Sequence, residues 1–251
     1  MLGIRQYIVR SLKMCLRMLF FAEEAMNRYF TKWELGLWLG SCVLILASWL
    51  WLGGSGGLGV TASLVGVTAL IFYAKGNPVG QALMVLFCLL YAWISYSFRY
   101  YGELLTYMGM TFPMAVLSLV QWLRHPYAGK RDQVEMDLLK PGEWRWVAVL
   151  SVGVTMAFFF ILRELGTANL IPGTISVTTS FVAAYLTYRR NPWLSVWYAA
   201  NDVVLVVLWV LASLQDRSYL SVVVCFTVFL VNDIYCFVSL RSMARRQQGG
   251  K

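Results

Sequence analysis

The feature that most constrains this chain is a repetition: apolar runs of nearly equal length recur from Trp33 to Leu240, separated by short polar breaks. A hydrocarbon layer about 30 Å thick is crossed by about 20 helical residues at about 1.5 Å each. Inside it every backbone N–H and C=O needs a partner, so a run of that length has to be a helix. Eight runs qualify: Trp33–Leu52, Leu58–Ala74, Val79–Phe98, Leu104–Leu123, Trp146–Leu162, Pro172–Tyr188, Trp193–Leu214 and Tyr219–Leu240. With 59% hydrophobic and 13% charged residues, the chain is expected to be an all-α polytopic membrane protein with eight transmembrane helices.

The formal charge of +9 invites a nucleic-acid reading, but the placement of the charges argues against it. Of the 21 Lys and Arg, all but Arg99, Arg163 and Arg217 fall on the side that holds the N-terminus. By the positive-inside rule both termini are then cytoplasmic, and the basic residues face an anionic membrane surface. Residues 1–32 are too polar to span. Their Ile4, Ile8, Leu12 and Leu16 against Arg5, Arg10, Lys13 and Arg17 make either an amphipathic helix lying on the inner surface or a basic tail. Residues 242–251 form a second basic tail, and no cleavable signal peptide is expected.

Cys15, Cys42, Cys88, Cys225 and Cys236 lack paired spacing, and the single His125 lies in a loop, so no disulfide, metal site or cofactor is expected. The glycine-rich stretch from Gly53 to Gly59 lies between two spans and is not followed by Lys-Ser/Thr. It is read as a tight turn rather than a phosphate loop. The longest connection, Arg124 to Trp144, is the expected linker between two halves.

Polar side chains inside spans are costly, and by default they mark function. Two spans carry an Asn-Asp pair: Asn201-Asp202 and Asn232-Asp233. Both pairs lie roughly 10 to 15 Å in from the side holding the N-terminus. Trp193, Trp197 and Asn201 follow at i, i+4, i+8 on one helical stripe, and Tyr198 and Asp202 share the next. On the last span Asn232 and Tyr235 are i, i+3. Such a cluster suits a flat, hydrogen-bonding ring, cationic or neutral, between aromatic faces. The structural alternatives are an interfacial anchor for Trp193 and pairing of the aspartates with a facing Tyr or Asn. Thr174, Ser176, Thr178, Thr179 and Ser180 on the sixth span either line a cavity or pack helices, and Pro113 is expected to kink the fourth span with Thr111 satisfying freed backbone.

Overlaying the halves reveals an internal repeat. Phe72-Tyr73-Ala74-Lys75-Gly76-Asn77-Pro78 resembles Thr187-Tyr188-Arg189-Arg190-Asn191-Pro192, with Asn77 and Asn191 displaced by 114 residues. Each match closes one span and opens the next. The expected organisation is an N-terminal helix at 33–52, a three-helix unit at 58–124, a linker and linking helix at 125–171, and a second unit at 172–241. Four crossings separate equivalent helices, so the units run parallel, an architecture of transporters whose substrate sits at the repeat interface. At the same displacement Cys88 falls opposite Asp202, and the first unit contributes Gln81, Tyr91, Trp93, Tyr96 and Tyr101.

This 3+1+3 layout resembles the PnuC vitamin transporters, relatives of the SWEET sugar transporters. The residues that carry the likeness are Asn77-Pro78-x-Gly80, Tyr101-Gly102-Glu103, Gln121-Trp122-Leu123-Arg124, Trp197-x-x-x-Asn201 and Asn232-x-x-Tyr235, within about residues 58–243. The resemblance implies uptake of nicotinamide riboside across a bacterial inner membrane by facilitated diffusion, with phosphorylation trapping the product inside. By position it implies Trp197, Asn201, Asn232 and Gln81 as substrate contacts, and the spacing of the polar and aromatic residues adds Trp193, Tyr198, Asp202, Asp233 and Tyr235 as candidates around them. Ala115 stands where the family often has Asn, and Ser118 and Cys236 stand where Gly is common. These departures leave nicotinamide riboside, thiamine and nucleosides open as substrates. The expected partners are the vitamin and the bilayer, with a homo-oligomer left open. A membrane-embedded enzyme would need a nucleophile and base that are not visible here. A receptor or structural subunit would not call for a parallel repeat with a polar centre.

Overall fold

The computed structural model describes residues 29–52, 56–97, 101–167 and 169–250, with the side chains at 101–103 left out. The amphipathic segment before Tyr29, with Cys15, lies outside the described residues. So do Gly53 to Ser55 of the glycine-rich turn and Arg99. Two compact units divide after Gly40. In the first, helix α1 (Lys32–Leu52) begins with a capping box: the Thr31 N–H donates to Glu34 Oε2 at 2.7 Å and the Glu34 N–H to Thr31 Oγ1 at 3.3 Å.

The second unit runs α2 (Gly56–Ala74), α3 (Pro78–Ser97), α4 (Tyr101–Thr106), a π-helical turn (Tyr107–Thr111), α5 (Phe112–Arg124), a hairpin of β1 (Pro126–Tyr127) and β2 (Lys130–Val134), α6 (Pro141–Glu164), α7 (Leu170–Tyr188), α8 (Leu194–Ser213), a 3₁₀ turn (Arg217–Tyr219) and α9 (Leu220–Gly249). With Leu104–Arg124 counted as one span, 8 helices among the described residues are long and apolar enough to cross a membrane. They correspond span for span to the runs in the sequence. Within this unit α2 packs on α3, α3 on α5, α5 on α7, α7 on α8, α8 on α9 and α9 back on α2, so six spans close a ring with α6 packed outside against α7. The ring is polar within and apolar without: Asn201, Asp202 and Asp233 are buried, while Val203, Val207, Ile234 and Val238 on the same two helices are exposed. That inversion suits a hydrocarbon surround.

The fourth span is interrupted by the π-helical turn just before Pro113, which sits in the first turn of α5. Proline removes one N–H from the helical ladder, and the turn before it widens to π geometry, with the Thr111 hydroxyl donating to the Thr106 carbonyl at 3.3 Å.

The two Asn-Pro turns have the same construction. Gly76 and Arg190 adopt φ of 64° and 57°. The Asn77 and Asn191 N–H groups then reach back to the Phe72 and Leu186 carbonyls at 3.0 and 2.9 Å. Their side-chain oxygens accept from the Val79 and Trp193 N–H groups at 2.9 and 3.0 Å. Each turn ends one helix in the left-handed conformation and caps the next from the asparagine.

The linker ties both turns down, and here the structure adds order that the sequence did not announce. Ala128 and Gly129, both at positive φ, close a hairpin whose Val134 N–H donates to the Gly76 carbonyl at 2.8 Å. Further on, the Asp137 N–H donates to the Arg190 carbonyl at 3.1 Å, and the Gln247 side chain of α9 bonds both Met136 and Val134. Arg189 bridges Glu143 at 2.8 Å and Asp137 at 3.2 Å, and the hydrogen bond it donates to Glu143 holds the guanidinium above its usual range.

Close approach of α2 and α3 depends on Gly80, where a Cβ would meet Ala69 O and Tyr73 N at 3.0 Å. These are backbone atoms that cannot rotate aside. Gly80→Ala is expected to destabilise the protein by about 1–3 kcal/mol, read as a lower melting temperature in detergent. A wild-type melting temperature would show that the two helices part freely.

Candidate substrate site

Inside the ring lies a cavity of about 520 Å³ lined by α2, α3, the π turn, α7, α8 and α9. Its size suits a small organic ligand. It reaches the surface at Gly166, Asn169 and Gln215, at the end of the bundle away from the Asn-Pro turns, and descends along α8 past Trp209 and Leu205 to Asp202 and Tyr198.

Helical spacing explains which residues line it. On α8 the stripe Tyr198, Asn201, Asp202, Leu205 and Trp209 follows i, i+3, i+4, i+7 and i+11, and on α9 Phe226, Phe229 and Asp233 do the same. The structure therefore brings together Tyr198, Asn201, Asp202 and Asp233 of the residues expected from sequence. Trp193, Trp197, Asn232, Tyr235 and Gln81 do not line the cavity. Trp193, 44% exposed, stacks on Phe237 at 5.4 Å. Trp197 lies half-buried on the flank of the α8 stripe, and Tyr235 is half-buried on α9. Asn232, one step around α9 from Asp233, turns away from the cavity. Its Nδ2 donates to Ser41 Oγ and the Val228 carbonyl, both at 2.9 Å. Gln81 is fully buried behind the cavity wall, accepting from the Tyr73 hydroxyl at 2.8 Å, and its Nε2 has no hydrogen-bond partner.

Asn201 is oriented by its neighbours. Ser176 Oγ donates to its Oδ1 at 2.9 Å, and Thr179 Oγ1 lies at the same distance. With the carbonyl side so occupied, the amide N–H₂ is the group left to address a ligand. The hydroxyl residues of the sixth span divide accordingly: Ser176 and Ser180 line the cavity, while Thr178 meets Thr155 of α6 at 2.7 Å.

Asp202 and Asp233, 5% and 3% exposed, are the only acidic residues in the lining among the described residues. Asp202 Oδ2 and Asp233 Oδ1 have no partner. Among the described residues no Lys, Arg or His lines the cavity beside them.

The opposite wall is aromatic. Tyr91 and Tyr107 lie with ring centroids 4.7 Å apart, and Phe87 stands 5.0 Å from Tyr91. Nearer the mouth, Trp209 and Tyr219 pack at 5.3 Å, and the Trp209 indole N–H has no acceptor. Sequence reading attached the aromatic role to Trp193 and Trp197 and gave none to Tyr107 and Trp209. The signal was present in the i+7 spacing of Trp209 from Asp202, and for Tyr107 it was hidden because the π turn resets the helical phase.

Comparison with known proteins agrees with this architecture. Residues 57–241 match the family described as nicotinamide mononucleotide transporter. The nicotinamide riboside transporter PnuC of Neisseria mucosa is 24% identical over 198 residues, 76% of this chain and 74% of that one. The crystal structure of the vitamin B3 transporter PnuC superposes with a TM-score of 0.74 at 21% identity, over 87% of this chain and 94% of that one.

Proposed function

The chain belongs to the nicotinamide mononucleotide transporter family, and from that premise we propose that it carries nicotinamide riboside across a bacterial inner membrane by alternating access, as facilitated diffusion drawn inward by phosphorylation inside the cell. The observation that carries this reading is the cavity itself: two buried carboxyls face an aromatic wall within a ring of spans. A pyridinium ring is flat and positively charged. Tyr91 and Tyr107 offer it π faces, Asp202 and Asp233 offer a counter-charge, and the Asn201 amide offers donors for a carboxamide or ribose oxygen.

In this reading the ring is two parallel three-helix units, residues 58–124 and 172–241, joined through α6, with α1 as an addition. The matched construction of the two Asn-Pro turns supports it. With both termini cytoplasmic, the hairpin and turns face the cytosol and the cavity mouth faces outward, so the arrangement is the outward-facing state. Trp193, Trp197, Gln81, Asn232 and Tyr235 remain proposed substrate contacts, ones that would come into play only as the units rearrange.

Labelled nicotinamide riboside is expected to enter liposomes containing the purified protein without an ion gradient and in the presence of excess thiamine. Asn201→Ala is expected to lower that uptake about tenfold, the worth of a lost ligand hydrogen bond in a buried site. Label that stays outside, or entry abolished by thiamine, would move the substrate assignment.

A further inference from the structure

The outer half of the cavity holds a hydrogen-bond donor with no part yet in recognition. Along α8 the lining runs from Tyr198 past Asn201, Asp202, Leu205 and Leu208 to Trp209. Asp202 therefore stands one turn from the closed end, whereas Trp209 stands seven residues, about 10 Å, nearer the mouth. A ring held at the depth of Asn201 and Asp202 has little room beneath it, so a substituent on its nitrogen extends toward the mouth. Trp209 is placed to meet that substituent. A helical side chain leans toward the N-terminus of its own helix, which on α8 is the direction of Asp202. The Trp209 indole N–H is buried and has no acceptor among the described residues, and a buried donor is costly to leave unmade. The indole is also held in place. It packs on Tyr219 at 5.3 Å, and Tyr219 closes the 3₁₀ turn, its N–H donating to the Asp216 carbonyl at 3.2 Å while the Asp216 carboxylate accepts from the Ser218 N–H at 2.9 Å. A donor fixed in this way needs little further ordering when a ligand arrives. Beyond Asp202, Trp209 is the one residue of α8 in the lining, among the described residues, whose side chain can hydrogen-bond.

We infer that Trp209 is the residue that reads the sugar half of the ligand: its indole N–H donates to a ribose oxygen while the pyridinium ring lies deeper, at Asn201 and Asp202. The inference rests on the reading of the cavity as the substrate site. It divides recognition along α8 into two stations. The inner one, with the acids and the aromatic wall of Tyr91 and Tyr107, answers to charge and flatness, which any N-substituted nicotinamide supplies. The outer one answers to an acceptor placed about two turns further out, which only a ligand with a sugar on the ring nitrogen supplies. Leu205 and Leu208 separate the stations with apolar surface, so the sugar meets no competing hydrogen-bonding side chain from α8 on the way.

The test is calorimetric titration of the purified full-length protein, wild type and Trp209→Phe, with two cations: nicotinamide riboside and 1-methylnicotinamide, which keeps the charged ring and lacks the sugar. Trp209→Phe retains an aromatic ring against Tyr219 and removes the N–H. It is expected to weaken the riboside about tenfold and to leave 1-methylnicotinamide unchanged. A merely structural role would lower both affinities together, and that result, or no change in either, overturns the assignment while the transport reading stands. The 2′-, 3′- and 5′-deoxy forms of the riboside supply the same test without relying on the variant. One of them is expected to lose about tenfold on the wild type and nothing further on Trp209→Phe; equal binding of all three and the parent riboside to the wild type also overturns it. If neither the riboside nor 1-methylnicotinamide binds the wild type, the reading of the cavity falls and takes the role of Trp209 with it.

Discussion

Replacing both acids together, Asp202→Asn with Asp233→Asn, is expected to weaken binding of cationic nicotinamide riboside about hundredfold, or roughly 2.7 kcal/mol. Hydrogen bonds to a charged partner are worth about 1.5–3 kcal/mol, and the double substitution removes both acids that line the cavity while conserving side-chain volume. The neutral dihydropyridine form of the same riboside, which carries no positive charge on its ring, should bind the double variant about as well as it binds the wild type. Stability should hold or rise, because two acids are being removed from the membrane interior. Either single variant keeps one acid in the lining, so cation binding should persist. A double variant that binds the cation as tightly as wild type would remove the pair from any part in recognition.

The same pair shows what could be read from the sequence and what could not. Spans were legible because hydrocarbon admits few structures: length and apolarity fix a helix, and the side preference of Lys and Arg fixes the order of crossings. The Asn-Pro turns were legible because Asn77 and Asn191 belong to a local capping geometry with strong residue preferences. The polar centre was legible as two Asn-Asp pairs, since polar residues there need a reason. Its direction was not. Neighbouring helical positions diverge by about 100°, so two adjacent residues rarely face one point. On α8 the cavity stripe straddles Asn201 and Asp202, whereas on α9 only Asp233 turns inward and Asn232 faces Ser41. Trp193 and Trp197 shared a stripe with Asn201 by count, but the ring is closed by α7 and α9 on either side of α8, and that closure sets which flank looks inward. The linker hairpin was missed for a related reason. Its strands are too short for periodicity to register, and only Ala128-Gly129 marked the turn.

Trp122→Ala is expected to produce the largest loss of stability, about 3–5 kcal/mol, read as a marked drop in melting temperature in detergent. Trp122 is the largest fully buried side chain among the described residues. From α5 its indole N–H donates to the Thr187 carbonyl of α7 at 2.9 Å, and its ring meets the edge of Tyr73 on α2 at 5.5 Å. Tyr73 in turn bonds Gln81 on α3. One side chain thus joins three helices of the ring beside both Asn-Pro turns, and its removal leaves a void that backbone pinned by those turns and by the hairpin cannot fill. Trp122→Phe separates packing from the hydrogen bond. The Thr187 carbonyl also accepts from the Arg190 N–H at 3.0 Å, so it is not left unsatisfied, and the cost should be only about 1 kcal/mol. An alanine variant as stable as the phenylalanine variant would mean that this end of the bundle is not packed around Trp122. The expected ordering carries a functional consequence. Alternating access requires the end opposite the mouth to open, and Trp122 bridges α5 to α7, the seam between the two proposed units. Trp122→Phe, which keeps the fold but loses one tie across the seam, should therefore open that seam more readily. In liposomes it is expected to leave binding of nicotinamide riboside from the mouth side weaker while exchange continues.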